Sequence, residues 1–125
     1  MTIRDLARDS WRDELDSFSR QHEGWIVSIK TRSPSGDVSV AARDLPLECV
    51  SPASPRSNDI AIVVGGSRTH LTHEVHDAAA LQMDLTANDA ERALIIHGSD
   101  GMTTTIEFRS PMRPEDVDGV PADRQ

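Results

Sequence analysis

Three of the chain's five histidines stand within ten residues, Arg68 to Asp77, in the run RTHLTHEVHD, alongside Glu74 and Asp77. Imidazole is a common ligand of zinc, and its ordinary pKa lies near neutrality, so such a run raises metal binding or proton handling. Spacing decides how much of that chemistry is reachable. In a strand, His70 and His76 share one face roughly 20 Å apart while His73 points away. In a helix, His70 neighbours Glu74 and His73 neighbours Asp77, and Leu71, Val75, Ala78 and Ala79 follow a helical spacing. Two side chains then reach one ion, but the third does not, and further ligands would have to come from His97, Cys49 or His22. The run HEVH is not HExxH, and no paired CxxC is present. The reading is therefore no metal and no cofactor, with residues 69–77 left open among strand, bend and helix. His70, His73, His76, Glu74 and Asp77 stand as a speculative ligand-binding group. A hydrolase or isomerase using His70 with Glu74 or Asp77 would need a concave pocket around them.

Other reactive-looking residues have weaker contexts. Ser67 after Gly65-Gly66 matches neither a GxSxG elbow nor a phosphate-binding loop. Cys49 follows Glu48 on an expected strand with no neighbouring base, which suits a small apolar filler better than a nucleophile. Asp84 and Glu107 fall on alternating outward positions. No catalytic residue is assigned, and the expectation is that the chain is not an enzyme.

The composition bounds what surrounds these residues. A chain of 125 residues, 37% hydrophobic and 27% charged, can bury one core without disulfide or metal support. Its net charge of −8 repels a phosphate backbone, and with 3% aromatics and no tyrosine it lacks a base-stacking platform; no nucleic-acid partner is expected. No apolar run is long enough for a membrane helix, and the first residues lack the apolar centre of a secretory signal. One cysteine fits a reducing cytoplasm, where the protein is placed.

The elements follow from hydrophobic period. Ile3, Leu6, Ala7, Trp11, Leu15 and Phe18 make one stripe, predicting an amphipathic helix over 2–22 with Thr2 as N-cap and Gly24 as the residue that stops it. From Trp25 the period becomes two. WIVSIK and VSVAAR form a hairpin around SPSGD, and Pro46 in LPLECV marks an edge or bend. SPASPRSND at 51–59 reads as a loop. IAIVV at 60–64 reads as a central strand, ALQMDLT at 80–86 as another, and GSDG at 98–101 as the turn of a last hairpin. Trp11, Phe18, Trp25 and Phe108 are expected on the inner face. The predicted fold is α+β: the N-terminal helix on a curled, mainly antiparallel sheet of six to seven strands, a roll or partial barrel. Residues 1–110 form the single domain, and 111–125 are expected to be a disordered tail.

LARDSWRDELDSFSRQHEGWIVSI, LPLECVS before an apolar strand, the His70-Leu71 pair and the IHGSDG hairpin together resemble an uncharacterised family of small bacterial proteins, domain-of-unknown-function family 5335. The resemblance spans about residues 6–109. Near His70 the pattern departs, with Val75 and Ala78 close to places where the family carries proline and isoleucine. The resemblance implies a fold and no activity. The functional expectation is a non-catalytic binding or self-association module, homo-oligomeric through an exposed strand edge near 45–50. A metal- or small-ligand-binding protein using the histidines of 70–76 is the alternative.

Overall fold

The computed structural model describes residues 2–53, 58–65, 70–86 and 91–112. Eight strands occur in chain order around a single helix: β1 (Thr2–Leu6), a 3-10 turn (Arg8–Ser10), α1 (Trp11–His22), β2 (Ile26–Arg32), β3 (Val38–Pro52), β4 (Ile60–Val64), β5 (Leu71–Val75), β6 (Ala78–Leu85), β7 (Glu91–Gly98) and β8 (Thr103–Met112). They form one sheet in the order β1-β6-β7-β8-β2-β3-β4-β5, antiparallel at every pairing.

Two expectations are corrected here. The sheet has eight strands instead of six or seven, and it is open, not curled into a roll or partial barrel. Closure would need the two terminal strands to bond to one another; β1 and β5 end the strand order and share no pairing among the described residues. The miscount has two sources. β1 was hidden inside the predicted helix, and β5 lies in the ambiguous histidine run.

The helix over 2–22 is itself divided. Ala7 is extended (φ −64°, ψ 139°), α1 begins only at Trp11, and Thr2–Leu6 pairs with Leu81–Leu85 of β6. The i, i+3, i+4 spacing of Ile3, Leu6 and Ala7 fits a helix, but the strand supplies backbone partners to an otherwise bare edge of β6. Local periodicity lost to long-range pairing. The expected Thr2 N-cap is thus a strand residue. From Trp11 on, the stripe reading holds: Trp11, Leu15, Phe18 and His22 are the buried residues of α1, and Gly24, at φ +87°, follows it in a conformation that costs glycine least.

The core is continuous from the helix through both halves of the sheet. Leu15, Val27, Ile29, Leu47, Ile62, Leu94, Ile96 and Ile106 are all fully buried. Ser19 fastens the helix to β3: its hydroxyl accepts the Val50 N–H at 2.8 Å and lies 2.9 Å from the Val50 carbonyl and 2.8 Å from that of Leu15. β3 is the long strand of the sheet. Its first part pairs with β2 and its second with β4, with register shifts against β2 on both sides of the Ile29–Ala42 pair. Asp44, at φ +52°, sits in this irregular stretch. Pro46, two positions on, is a strand residue opposite Ile26 of β2. The expected edge at 45–50 is corrected: Leu45 and Pro46 pair with β2, and Leu47–Val50 pair with β4, so this stretch is interior.

The IAIVV strand is β4, next to the edge instead of central; Ile60, Ile62 and Val64 are buried while Ala61 and Val63 are half-buried. The GSDG turn joins β7 and β8 as expected, with Thr104, Ile106 and Phe108 sharing the inner face. The predicted loop at 51–59 is corrected at its start, since Ser51 and Pro52 pair with Ala61 and Ile60. Pro111 and Met112 belong to β8, and the remainder of the predicted tail lies outside the described residues.

Candidate functional site

The histidine run becomes a strand and a corner. Leu71–Val75 pairs with β4 residue for residue, Leu71 opposite Val64 through Val75 opposite Ile60, with no register shift. Alternation then sorts the side chains: Val75 is buried and Leu71 and His73 are half-buried on one face, while Thr72 and Glu74 are exposed on the other. His70 and His76 bracket the strand on the exposed side, so three imidazoles cannot meet. Among the described residues, no group of three His, Cys, Asp or Glu could hold a metal ion.

Each of these side chains has its own surroundings. His70 Nδ1 lies 3.0 Å from Glu48 Oε2. His76 is 74% exposed and stands 3.7 Å from Asp59 and 3.8 Å from Glu74. His73 opposes Ile62, and burial lowers its pKa from the ordinary value of 6.5. Asp77 turns the chain at φ +52°, donating its N–H to Asp59 Oδ1 at 2.8 Å. Its carbonyl and carboxylate accept the Ser99 N–H (3.0 Å) and hydroxyl (2.5 Å). With the Ala78 N–H donated to the Asn58 carbonyl at 2.9 Å, these bonds pin the β5–β6 corner to two loops. Asp77 is thus committed to main-chain geometry. Arg68, Thr69, Gly66 and Ser67 lie outside the described residues.

The other residues considered as further ligands are held elsewhere. His97 Nε2 lies 2.8 Å from Gln82 Oε1, and Gln82 donates to Asp5 at 2.7 Å, a polar chain across β7, β6 and β1. Asp84 is buried and accepts two bonds from Arg92, at 2.7 and 3.2 Å; Glu107 pairs with Lys30 at 2.9 Å. Cys49 borders an open hollow near Arg12, Asp16 and Ser51. Burial first, then the Glu48 carboxylate, push its thiol pKa up against a smaller lowering by Ser51, which suppresses the nucleophilic thiolate.

One arrangement was missed by sequence reading. His22, fully buried at the end of α1, packs against Phe18 (4.5 Å between ring centroids), Trp25 (4.5 Å) and Phe108 (4.7 Å). Its Nδ1 is 2.8 Å from the Phe18 carbonyl, and its Nε2 is 2.7 Å from Glu91 Oε1 at the start of β7. The last two atoms are in ion-pair contact, although their approach angle is outside that of an aligned hydrogen bond. A carbonyl only accepts, so Nδ1 must carry a proton. The signal available in the sequence was positional: His22 extends the Trp11, Leu15, Phe18 stripe by one further turn. Beside this pair, Arg4, Glu14, Gln21 and Glu91 line a cavity of about 190 Å³ between α1 and β1, β6 and β7. The Arg4–Glu14 ion pair, 3.6 Å long, lies on its wall.

Among the described residues, the free stretches of sheet edge include β1, β5 and the start of β3. β1 has only β6 as partner, β5 has only β4, and the Val38–Ala42 part of β3 has only β2. β1 carries Arg4 and Asp5 on successive positions, so each face bears a charge. The β3 stretch exposes Val38 (60%) and Val40 (42%), but register shifts interrupt it just beyond Val40. β5 pairs with β4 without a register shift, has no lysine or proline, and bears its single carboxylate, Glu74, on the exposed face.

No helix among the described residues is long and apolar enough to cross a membrane. The model of a family described as a family of unknown function (DUF5335) matches residues 2–117. No curated protein and no solved structure matches the chain.

Proposed function

The chain belongs to the family DUF5335, which brings no activity with it, and we propose from its own geometry that it is a non-catalytic association module that takes a partner strand onto β5. The observation that carries this reading is the unshifted edge from Leu71 to Val75, which among the described residues pairs with β4 alone. An edge strand presents a row of unpaired N–H and C=O groups at the spacing a second strand needs. Each main-chain bond gained contributes about 0.5–1.5 kcal/mol net, so a five-residue strand suits a reversible contact, with Leu71 and His73 supplying partly buried area beside it. The reading of the histidines as one ligand group has less support, because His73 faces away from His70 and His76.

A strand-sized probe tests the proposal. A synthetic peptide with the sequence of residues 70–76, titrated onto the protein, should perturb the backbone amide resonances of Leu71–Val75 before those of β1. Perturbation centred on β1, or none at any attainable concentration, would remove β5 as the docking edge.

A second reading is favoured by the cavity beside Glu91. It combines carboxylate, guanidinium and amide groups with an apolar floor, which suits a small polar ligand. Substituting Gln21→Leu would abolish binding there while leaving β5 unaffected.

A further inference from the structure

Residues 70–76, His-Leu-Thr-His-Glu-Val-His, have the same order of side-chain types in both directions from His73. Histidine stands three positions away on either side, an aliphatic residue two away, and a polar residue adjacent. Antiparallel strands place residue 73+n opposite residue 73−n when the axis of pairing passes through position 73. Such a pairing needs no second sequence. Resting on the reading of β5 as the docking edge, we propose that its partner is β5 of a second copy of this chain, paired antiparallel about a two-fold axis at His73.

In that register Leu71 lies opposite the partner's Val75, so the half-buried aliphatic face of one edge continues into that of the other. Thr72 lies opposite the partner's Glu74 and His70 opposite the partner's His76, on the outer face. The interface is isologous and closes at two copies, because each copy's docking edge is consumed. The other free edges fit this operation poorly. β1 lacks this symmetry of side-chain types: about an axis at Arg4, Ile3 lies opposite the partner's Asp5 and Thr2 opposite its Leu6. The free part of β3 loses register beyond Val40.

The position of His73 also makes the contact acid-sensitive. Its cross-strand neighbour on β4 is Ile62, flanked by Ala61 and Val63, and on its own face of β5 it has Leu71 and Val75. The nearest charged and titratable groups along the chain, Glu74, His70 and His76, sit on the opposite face, and burial alone accounts for the lowered pKa of His73. Facing its own copy, the ring is buried further and acquires a like-charged neighbour if protonated. The paired state therefore binds this proton less readily than the single chain, and association weakens as pH falls below the ordinary histidine value.

Sedimentation of the unmodified chain tests the pairing without any substitution: reversible dimers are expected near neutrality. The dissociation constant should rise at least about tenfold on acidification, as two like charges a strand-pair apart require. His73→Gln should reduce that dependence by more than His70→Gln, whose ring faces the partner's His76 on the outer face. The register is tested in a Cys49→Ser background. His73→Cys places opposing Cα atoms about 4.5 or 5.5 Å apart, within the disulfide range of about 4.4–6.8 Å. Leu71→Cys leaves its copy about 13 Å away along the strand. Oxidation should link the first and not the second. Equal linkage of both, or none at position 73, would overturn the pairing. A monomer that still binds the 70–76 peptide at β5 would overturn the second-copy partner and leave the docking edge standing; a monomer that ignores the peptide would sink both.

Discussion

A fully buried imidazole is an expensive residue to place in a core, and His22 offsets that cost through its partners. Phe18 supplies a carbonyl to one nitrogen and Glu91 a carboxyl to the other, with three aromatic rings packed around them. Removing one side of such a pair strands the other. His22→Ala should cost about 3–5 kcal/mol, since it leaves Glu91 uncompensated and opens a cavity. Glu91→Gln keeps an acceptor for the ring and should cost about 1 kcal/mol. Chemical denaturation of both variants checks the order, and equal losses would contradict the pairing. His73 supplies a second residue-scale prediction. Its pKa is lowered in the folded chain, so folding favours the neutral ring. That contribution is present above the ordinary histidine value and is lost as pH falls through it. The stability difference between wild type and His73→Gln should therefore shift against wild type on acidification; a shift in the opposite sense would contradict the burial.

At the scale of elements, the joints between helix, hairpins and sheet set the predictions. Ser19 is the acceptor of the Val50 amide at the α1–β3 contact. Ser19→Ala leaves that half-buried N–H without its partner and should cost about 1–3 kcal/mol, read from thermal or urea unfolding. Gly24 and Gly101 share a positive φ, +87° and +89°, but differ in surroundings. A Cβ at Gly24 meets nothing within 4 Å, whereas at Gly101 it would lie 2.8 Å from Pro34 Cγ. Alanine at Gly24 should cost only the backbone strain, about 1–2 kcal/mol, and alanine at Gly101 more, because the β7–β8 turn rests on the β2–β3 turn. Equal losses would mean that the two turns do not bear on each other. Elements were also where sequence reading succeeded and failed most clearly. Period-two alternation located β2 and β6, a continuous apolar run located β4, the GSDG turn located β7 and β8, and the stripe from Trp11 to Phe18 located α1. Thr2–Leu6 failed because its apolar spacing satisfies a helix locally, while the competing bonds to β6 come from residues almost eighty positions away and leave no local trace.

For the molecule as a whole, the α+β layering was legible and the sheet's outline was not. An edge is a statement about what a strand lacks, and no local pattern records it. LPLECV looked like an edge because of Pro46; its neighbours on both sides come from β2 and β4. The histidine run looked like chemistry because of its composition, and its placement at the end of the strand order suggests recognition instead. The run was thus legible as a distinctive stretch of sequence, and its position at the end of the strand order was not. The His22–Glu91 pair was invisible as a pair, since residues 22 and 91 meet only through the packing of α1 on the sheet.

The measurement that bears most directly on β5 is hydrogen exchange of its backbone amides as protein concentration is raised near neutral pH. The account predicts that the amides of Leu71–Val75 facing away from β4 become slower to exchange as concentration rises, while those on the free edge of β1 do not change. Exchange in β5 that is independent of concentration, or protection that grows equally along β1, would contradict it.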